Sequence, residues 1–291
     1  MAKANTKPSV ATSNVLEFDT EAIKAREQEV ALETDEAIIA RLRERFEILD
    51  EMTKAVKEGN VRAMIVSGPP GVGKSYGVET QLQKADLFNT LAEKKPKFEV
   101  VKGAMSAIGL YAKLYEFSEK GNVIVFDDCD SILMEDLSLN ILKAALDSSS
   151  RRFISWNTDS RILRSEGIPD RFEFKGAAIF ITNIKFEHVR SKKLRDHLDA
   201  LESRCHYIDL QMDTEREKIL RIKQIITDGM LDKYDFDNID IVKHELVEFI
   251  DINKSKLREL SLRMVLKLAD LRKSFPTNWQ AMARTTCMKR G

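Results

Sequence analysis

The sequence predicts a doubly wound α/β fold with a parallel sheet, followed by a small all-helical domain. Three observations predict it. The apolar runs Ala63-Met64-Ile65-Val66, Val123-Ile124-Val125-Phe126 and Ala177 to Ile181 lack polar alternation, as strands buried on both faces do. Amphipathic stretches of helical period separate them, which implies strand–helix–strand crossovers. Beyond Asp213 the strand pattern stops and only helical periodicity continues.

The stretch Gly68-Pro69-Pro70-Gly71-Val72-Gly73-Lys74-Ser75 fits the phosphate-binding pattern G-x-x-x-x-G-K-[ST], and we take Tyr76 with it as cofactor-binding. Glycines let the backbone turn tightly enough for successive N–H groups to face phosphate oxygens, and the following helix N-terminus adds partial positive charge. Lys74 is expected to reach the β- and γ-phosphates of ATP, and Ser75 to offer its hydroxyl to Mg²⁺. A Gly/Pro surface turn could be spelled the same way. The strand before and the helix after argue against that.

Composition narrows the class. Over 291 residues, 47 Lys plus Arg balance 47 Asp plus Glu, so no global basic field speaks for nucleic acid and none excludes a local patch. Cys129, Cys205 and Cys287 are scattered without metal-ligand spacing, which fits reduced thiols in a cytoplasmic protein. No apolar run is long enough to span a membrane, and the N-terminus lacks an apolar leader.

Residues 1–34 are expected to form a flexible tail, poorest in large apolar groups over the first 16 or so. From Asp35 the apolar positions Ile38, Leu42, Phe46, Leu49, Met52 and Val56 recur at helical spacing up to Gly59. The loop helix runs to about Ala85, and a strand covers Phe98 to Val101. A helix around Leu110 and Leu114 ends at Gly121, and the next strand ends in Asp127-Asp128-Cys129-Asp130. After a helix over Asp136 to Ser148, two short β-like runs, Arg152–Trp156 and Arg171–Phe174, flank a polar loop. A strand ending in Thr182-Asn183, a helix through Leu194, Leu198 and Leu201, and a short strand Tyr207 to Leu210 complete an α/β domain over 35–212. Helices over about 214–228, 239–252, 256–273 and 277–288 make the second domain, 213–291. In doubly wound sheets ligands sit beyond the carboxyl ends of the strands, where both the phosphate loop and the acids fall.

The phosphate loop, the acidic strand end, the strand ending in Asn183 and the Arg204 segment, in this order, resemble the AAA+ ATPase family over about residues 36–273. The resemblance implies that Asp127 holds Mg²⁺ and that Asp128 stands where the family has a glutamate that polarises the attacking water. Replication initiators of the superfamily also carry Asp-Asp here. It implies that Asn183 is the first sensor. Ser203-Arg204-Cys205 is similar to the Ser-Arg-Cys segment of clamp loaders, which makes Arg204 an arginine finger acting on the next subunit, with Arg195 as the fallback. Ser261-Leu262-Arg263 resembles the second sensor of MoxR-like members, with Arg263 preferred to Arg258.

By the same resemblance, the expected protein is an ATPase using ATP and Mg²⁺ at the interfaces of a homo-oligomeric ring or spiral, a hexamer, to remodel a protein client or DNA. Its compact form resembles AAA proteins encoded by bacteriophages, which would place it in the host cytoplasm. Lys102-Gly103-Ala104-Met105 lacks the aromatic-Gly pair of protein-threading members, so a loader-like role in DNA replication or recombination is favoured. A MoxR-like chaperone and a slow nucleotide-gated binding module are the alternatives. The β-like runs near 152 and 172 fall where some members insert a hairpin; arginines there, with Trp156 for stacking, make DNA contact an expectation.

Overall fold

The computed structural model describes residues 28–186 and 189–290. Its first long element, helix α1 (Asp35–Glu58), begins where Thr34 accepts a hydrogen bond from the Ala37 amide and ends at Gly59, whose φ of 80° closes the last turn. The flexible tail expected over 1–34 lies largely outside the described residues. Within residues 28–34, however, Val30 is buried and its carbonyl accepts from Arg216, so order begins earlier than the sequence reading has it.

Five strands form one parallel sheet: β1 (Ala63–Ser67), β2 (Phe98–Lys102), β3 (Val123–Asp127), β6 (Ala177–Thr182) and β7 (His206–Asp209), in the order β2-β3-β6-β1-β7. The three central strands are buried along their whole length, which is why their sequences show no alternation. Side chains still alternate between two cores. Ala63, Ile65, Ile124, Phe126, Ala178 and Phe180 face one layer of helices, while Met64, Val66, Val123, Val125, Ile179 and Ile181 face Leu49 and Val56 of α1 and Val78 and Leu82 of α2 (Lys74–Ala85).

The first of those layers holds α4 (Ala107–Glu116), α6 (Asp136–Ala145), α8 (Lys192–Glu202) and an antiparallel hairpin. The hairpin pairs β4 (Phe153–Ser155) with β5 (Arg171–Glu173), with Ile154 opposite Phe172. The short helices α3 (Leu87–Leu91), α5 (Asp130–Met134) and α7 (Arg161–Ser165) escaped the sequence reading because five residues are too few to repeat the helical period.

A separate apolar cluster joins α9 (Glu215–Thr227), α10 (Ile239–Asn253), α11 (Leu262–Ser274) and α12 (Trp279–Thr286), with Ile226, Leu246, Phe249, Val265, Leu268 and Trp279 at its centre. Helix α11 starts at Leu262, not near 256. Ser261 is extended and caps it, and Leu257 is instead drawn into an isolated antiparallel bridge with Met288. The seam between the α/β region and the helical region is a fourth cluster of Val30, Ile38, Leu42, Val72, Met212 and Leu220. Val72, inside the glycine-rich loop, is thus an anchor.

Candidate functional site

All five strands are parallel, so residues that follow strands gather at one end of the sheet. Strand β6 lies between β1 and β3. That order sets Asn183, just past β6, between the glycine-rich loop after β1 and the acids after β3.

Gly71 and Gly73 carry φ of 73° and 106°, which a side chain would strain, and a Cβ on Gly71 would sit 2.7 Å from Cβ of Ser261. The loop is therefore packed directly against the start of α11. The Leu262 amide donates to the Gly71 carbonyl at 2.8 Å.

Lys74 opens α2 and is 5% exposed. Its ammonium donates to Gly68 O at 2.6 Å, Pro69 O at 2.9 Å and Asn183 Oδ1 at 2.7 Å, which occupies all three protons. Burial pushes its pKa down to about 8, against the opposing pull of Asp128 and Asp127 and with a further push from Arg263. Asn183 Nδ2 donates to Asp128 Oδ1 at 2.9 Å, so one amide links the lysine to the carboxylate. Asp128 itself sits at φ 53°, rare for aspartate, with its amide donating to Ile181 O; this turns its exposed side chain away from the strand line.

Ser75 Oγ donates to Asp127 Oδ1 at 2.9 Å, and Asp127 is nearly buried. Its other oxygen lies 3.4 Å from Lys102 Nζ, which also pairs with Glu79 at 2.7 Å; these pairings raise the Lys102 pKa. Lys102 went unnoticed in the sequence reading. Its register partner in β3 is Asp127, so the pairing follows from strand alignment, which a lone sequence does not reveal. Asp130 is held by Thr182 Oγ1 at 2.8 Å, and burial raises its pKa; it does not line the cavity described next.

A cavity of about 470 Å³ opens over these groups. Gly71, Gly73, Lys74, Ser75, Tyr76, Asp127, Asp128 and Asn183 form its floor. Its far wall comes from the helical region: Ile225, Asp228, Gly229, Met230, Lys233, Leu262, Arg263 and Leu266. Of this wall only Arg263 was singled out in the sequence. Tyr76 stands at the rim, 77% exposed.

Three other arginines considered from the sequence lie outside the cavity, among them Arg204, expected to act on the next subunit. Arg258 lines a different opening, with Lys289 and Arg290. Arg195 donates to the Val189 carbonyl. Arg204 precedes β7, at the opposite end of the sheet from the loop, where it donates to Ala200 O and Asp147 feels its charge. The hairpin also departs from expectation. Trp156 is 9% exposed and packs on Tyr111 at 5.6 Å between ring centres, so it offers no stacking platform. Arg152 is buried and donates to Ala145 O and Gly176 O, while Arg151 pairs with Glu173 at 3.0 Å.

Over 254 residues, 86% of this chain and 76% of the relative, the sequence is 34% identical to an uncharacterized 36.7 kDa protein from the nrdC-mobD intergenic region of Enterobacteria phage T4. The chain belongs to that protein's family. No protein-family model matches this member of the T4 36.7 kDa family. Among solved structures, the family member is similar to NtrX from Brucella abortus in complex with ATP at TM-score 0.48 and 11% identity, and to PCH-2 of C. elegans at TM-score 0.34 and 13% identity. It covers 58% and 66% of those chains, using 94% and 86% of its own. Among the described residues no helix is long and apolar enough to cross a membrane.

Proposed function

We propose that the chain is an AAA+ ATPase that binds ATP·Mg²⁺ in the 470 Å³ cavity and hydrolyses it to remodel a macromolecular partner. The observation that carries this is the convergence of Lys74, Asn183, Asp128 and the Ser75–Asp127 pair under one wall that ends in Arg263. A structural turn would not need a buried lysine amid aspartates.

The donor set fits magnesium. Ser75 and Asp127 offer hard oxygen ligands already 2.9 Å apart, and among the described residues no group of three or more acidic, His or Cys side chains forms an all-protein cage. Magnesium binds well to one or two such ligands plus phosphates and water. When bound, the ion neutralises charge on the β- and γ-phosphate oxygens. Lys74 would exchange the Gly68 and Pro69 carbonyls for phosphate oxygens, while Asn183 keeps Asp128 oriented to accept a proton from water. Arg263 would reach the γ-phosphate from the lid, and Arg204, facing away from its own cavity, would serve the next subunit's in a ring or spiral of six copies. Residues 35–212 would then be the nucleotide-binding domain and 213–291 the lid.

The favoured task is loader-like work in DNA replication or recombination in a host cytoplasm. The hairpin supports a protein-directed, MoxR-like role at least as well, because Trp156 is buried and Arg151 is paired. A DNA-stimulated ATPase assay separates the two. The site itself is tested with two variants. Lys74→Ala should lower ATP affinity, read by calorimetry, and Asp128→Asn should retain affinity while phosphate release stops, since an amide cannot take the proton. Parental affinity and turnover in both would overturn the reading.

A further inference from the structure

Opposite in kind to the cavity is a concentration of positive charge on the helical region. The turn after α10 carries Lys254 and Lys256, the segment before α11 carries Arg258, and the stretch after α12 carries Lys289 and Arg290. All five are exposed. The fold brings the two stretches together as an antiparallel bridge between Leu257 and Met288, with Arg258 N donating to Cys287 O at 2.9 Å and Lys289 N to Lys256 O at 2.8 Å. Leu257 and Cys287 are buried beneath it, at 2% and 4% exposure. The cations are thus mounted on a fixed platform, and Arg258, Lys289 and Arg290 border a shallow, open depression of the surface.

What sets this patch apart is that its charge is unspent. Several other basic side chains of the helical region are engaged: Lys223 with Asp251, Lys243 with Asp232, Lys267 with Glu259, and Arg272 with Glu245. These pairs also use up Asp251 and Glu259, the acids nearest in sequence. Among the described residues none of the five patch cations is in an ion pair. Lys289 reaches only the Ser255 carbonyl, at 3.4 Å. In a chain of zero net charge, five like charges held side by side repel one another, and a polyanion relieves that repulsion.

We propose that this platform binds the phosphate backbone of nucleic acid. Two guanidinium groups suit a phosphodiester, which arginine can grip with two hydrogen bonds, and the lysines beside them add charge for neighbouring phosphates. The contact is independent of sequence and rests on no part of the nucleotide reading. It lies outside the ATP cavity, yet only two residues separate Arg258 from Ser261, whose side chain packs on Gly71. Movement of the lid against the phosphate loop therefore carries the platform with it.

The test uses the full-length protein and labelled single-stranded and duplex oligonucleotides, with anisotropy read as salt is raised. The triple variant Lys256→Gln, Arg258→Gln, Lys289→Gln should lose about tenfold or more in affinity at low salt, and its salt slope should flatten by about 2 to 3, the contribution of three phosphate contacts. Replacing Lys256 and Lys289 by arginine should retain binding. An unchanged thermal midpoint and unchanged ATP affinity in the triple variant keep the loss assigned to charge rather than to folding or to the nucleotide site. The proposal is overturned if the parent shows no salt-sensitive affinity for either oligonucleotide, or if the triple variant keeps the parental slope. It is equally overturned if Arg151→Gln with Arg171→Gln removes binding where the triple variant does not. Parental protein that pellets with phosphatidylserine vesicles but ignores both oligonucleotides would assign the patch to a membrane instead.

Discussion

At the scale of single residues the tension lies in Lys74. A charged ammonium is held at 5% exposure by carbonyls and an amide, and its pKa is pushed down to about 8 by burial. In the unfolded chain the same lysine titrates near its ordinary value of about 10.4. Between those values the unfolded state binds more protons than the folded one, so this group makes stability rise with pH across that window. Below about pH 8 its full cost is present. Lys74→Met removes the titration, and its thermal midpoint relative to the parent should fall as pH is raised from about 8 to 10. Parallel profiles for the two proteins would show that Lys74 titrates normally. Phosphates in the cavity would restore the charged form, so the strain is relieved by the ligand that the site is proposed to take.

The gathering of the loop, the acids and Asn183 at one end of the sheet was legible because each is an uncommon residue pattern directly after a buried strand. Lys102 and the wall built from Ile225, Asp228, Met230 and Lys233 were not, because their place in the site depends on strand register and on docking of a distant helix. Trp156 misled for a physical reason. An aromatic next to several arginines reads as exposed, yet its ring fills the core beside Tyr111 while the arginines around it divide between surface and interior.

At the scale of elements that division is clearest in the hairpin. Arg151 and Arg152 are neighbours in sequence just before β4, yet one is exposed and the other buried. Arg151 spans Glu173 and stacks over Phe153 at 4.9 Å in solvent, whereas Arg152 runs inward over Phe174 at 5.1 Å and joins the end of α6 to the start of β6 through Ala145 O and Gly176 O. Truncating Arg152 leaves two buried carbonyls without donors, a loss of about 1–3 kcal/mol each before relaxation. Arg152→Ala should therefore lower the thermal midpoint by several degrees, while Arg151→Ala should leave it where it is. Equal effects in calorimetry would contradict the burial of Arg152. The pair also explains why the number of arginines in the hairpin overstates the charge it leaves free. One arginine belongs to the core, and another is neutralised by Glu173.

At the scale of the whole molecule the placement of Arg204 sets the decisive question. Parallel strands gather the cavity at their carboxyl ends, and Arg204 precedes β7, at the other end. Within one chain it has no route to the phosphates, so it is either a surface arginine or a group that acts in a neighbouring copy. An arginine finger supplied in trans is worth about 10³ to 10⁵ in rate, or roughly 4 to 7 kcal/mol. Arg204→Ala should then abolish measurable turnover while leaving ATP affinity unchanged, since its own loop is intact. Lys74→Ala should be inactive for the opposite reason, a damaged loop with a sound arginine. In a mixed assembly some interfaces set the surviving arginine of one variant against the surviving loop of the other, so part of the activity should return in proportion to such interfaces. Size-exclusion chromatography with light scattering, run on the same mixture, shows whether the two variants share one particle. Co-assembly with recovered phosphate release would locate the reaction between subunits. An Arg204→Ala protein that assembles and turns over at the parental rate would remove that residue from the mechanism and leave Arg195, bound to the Val189 carbonyl, as the next arginine to replace.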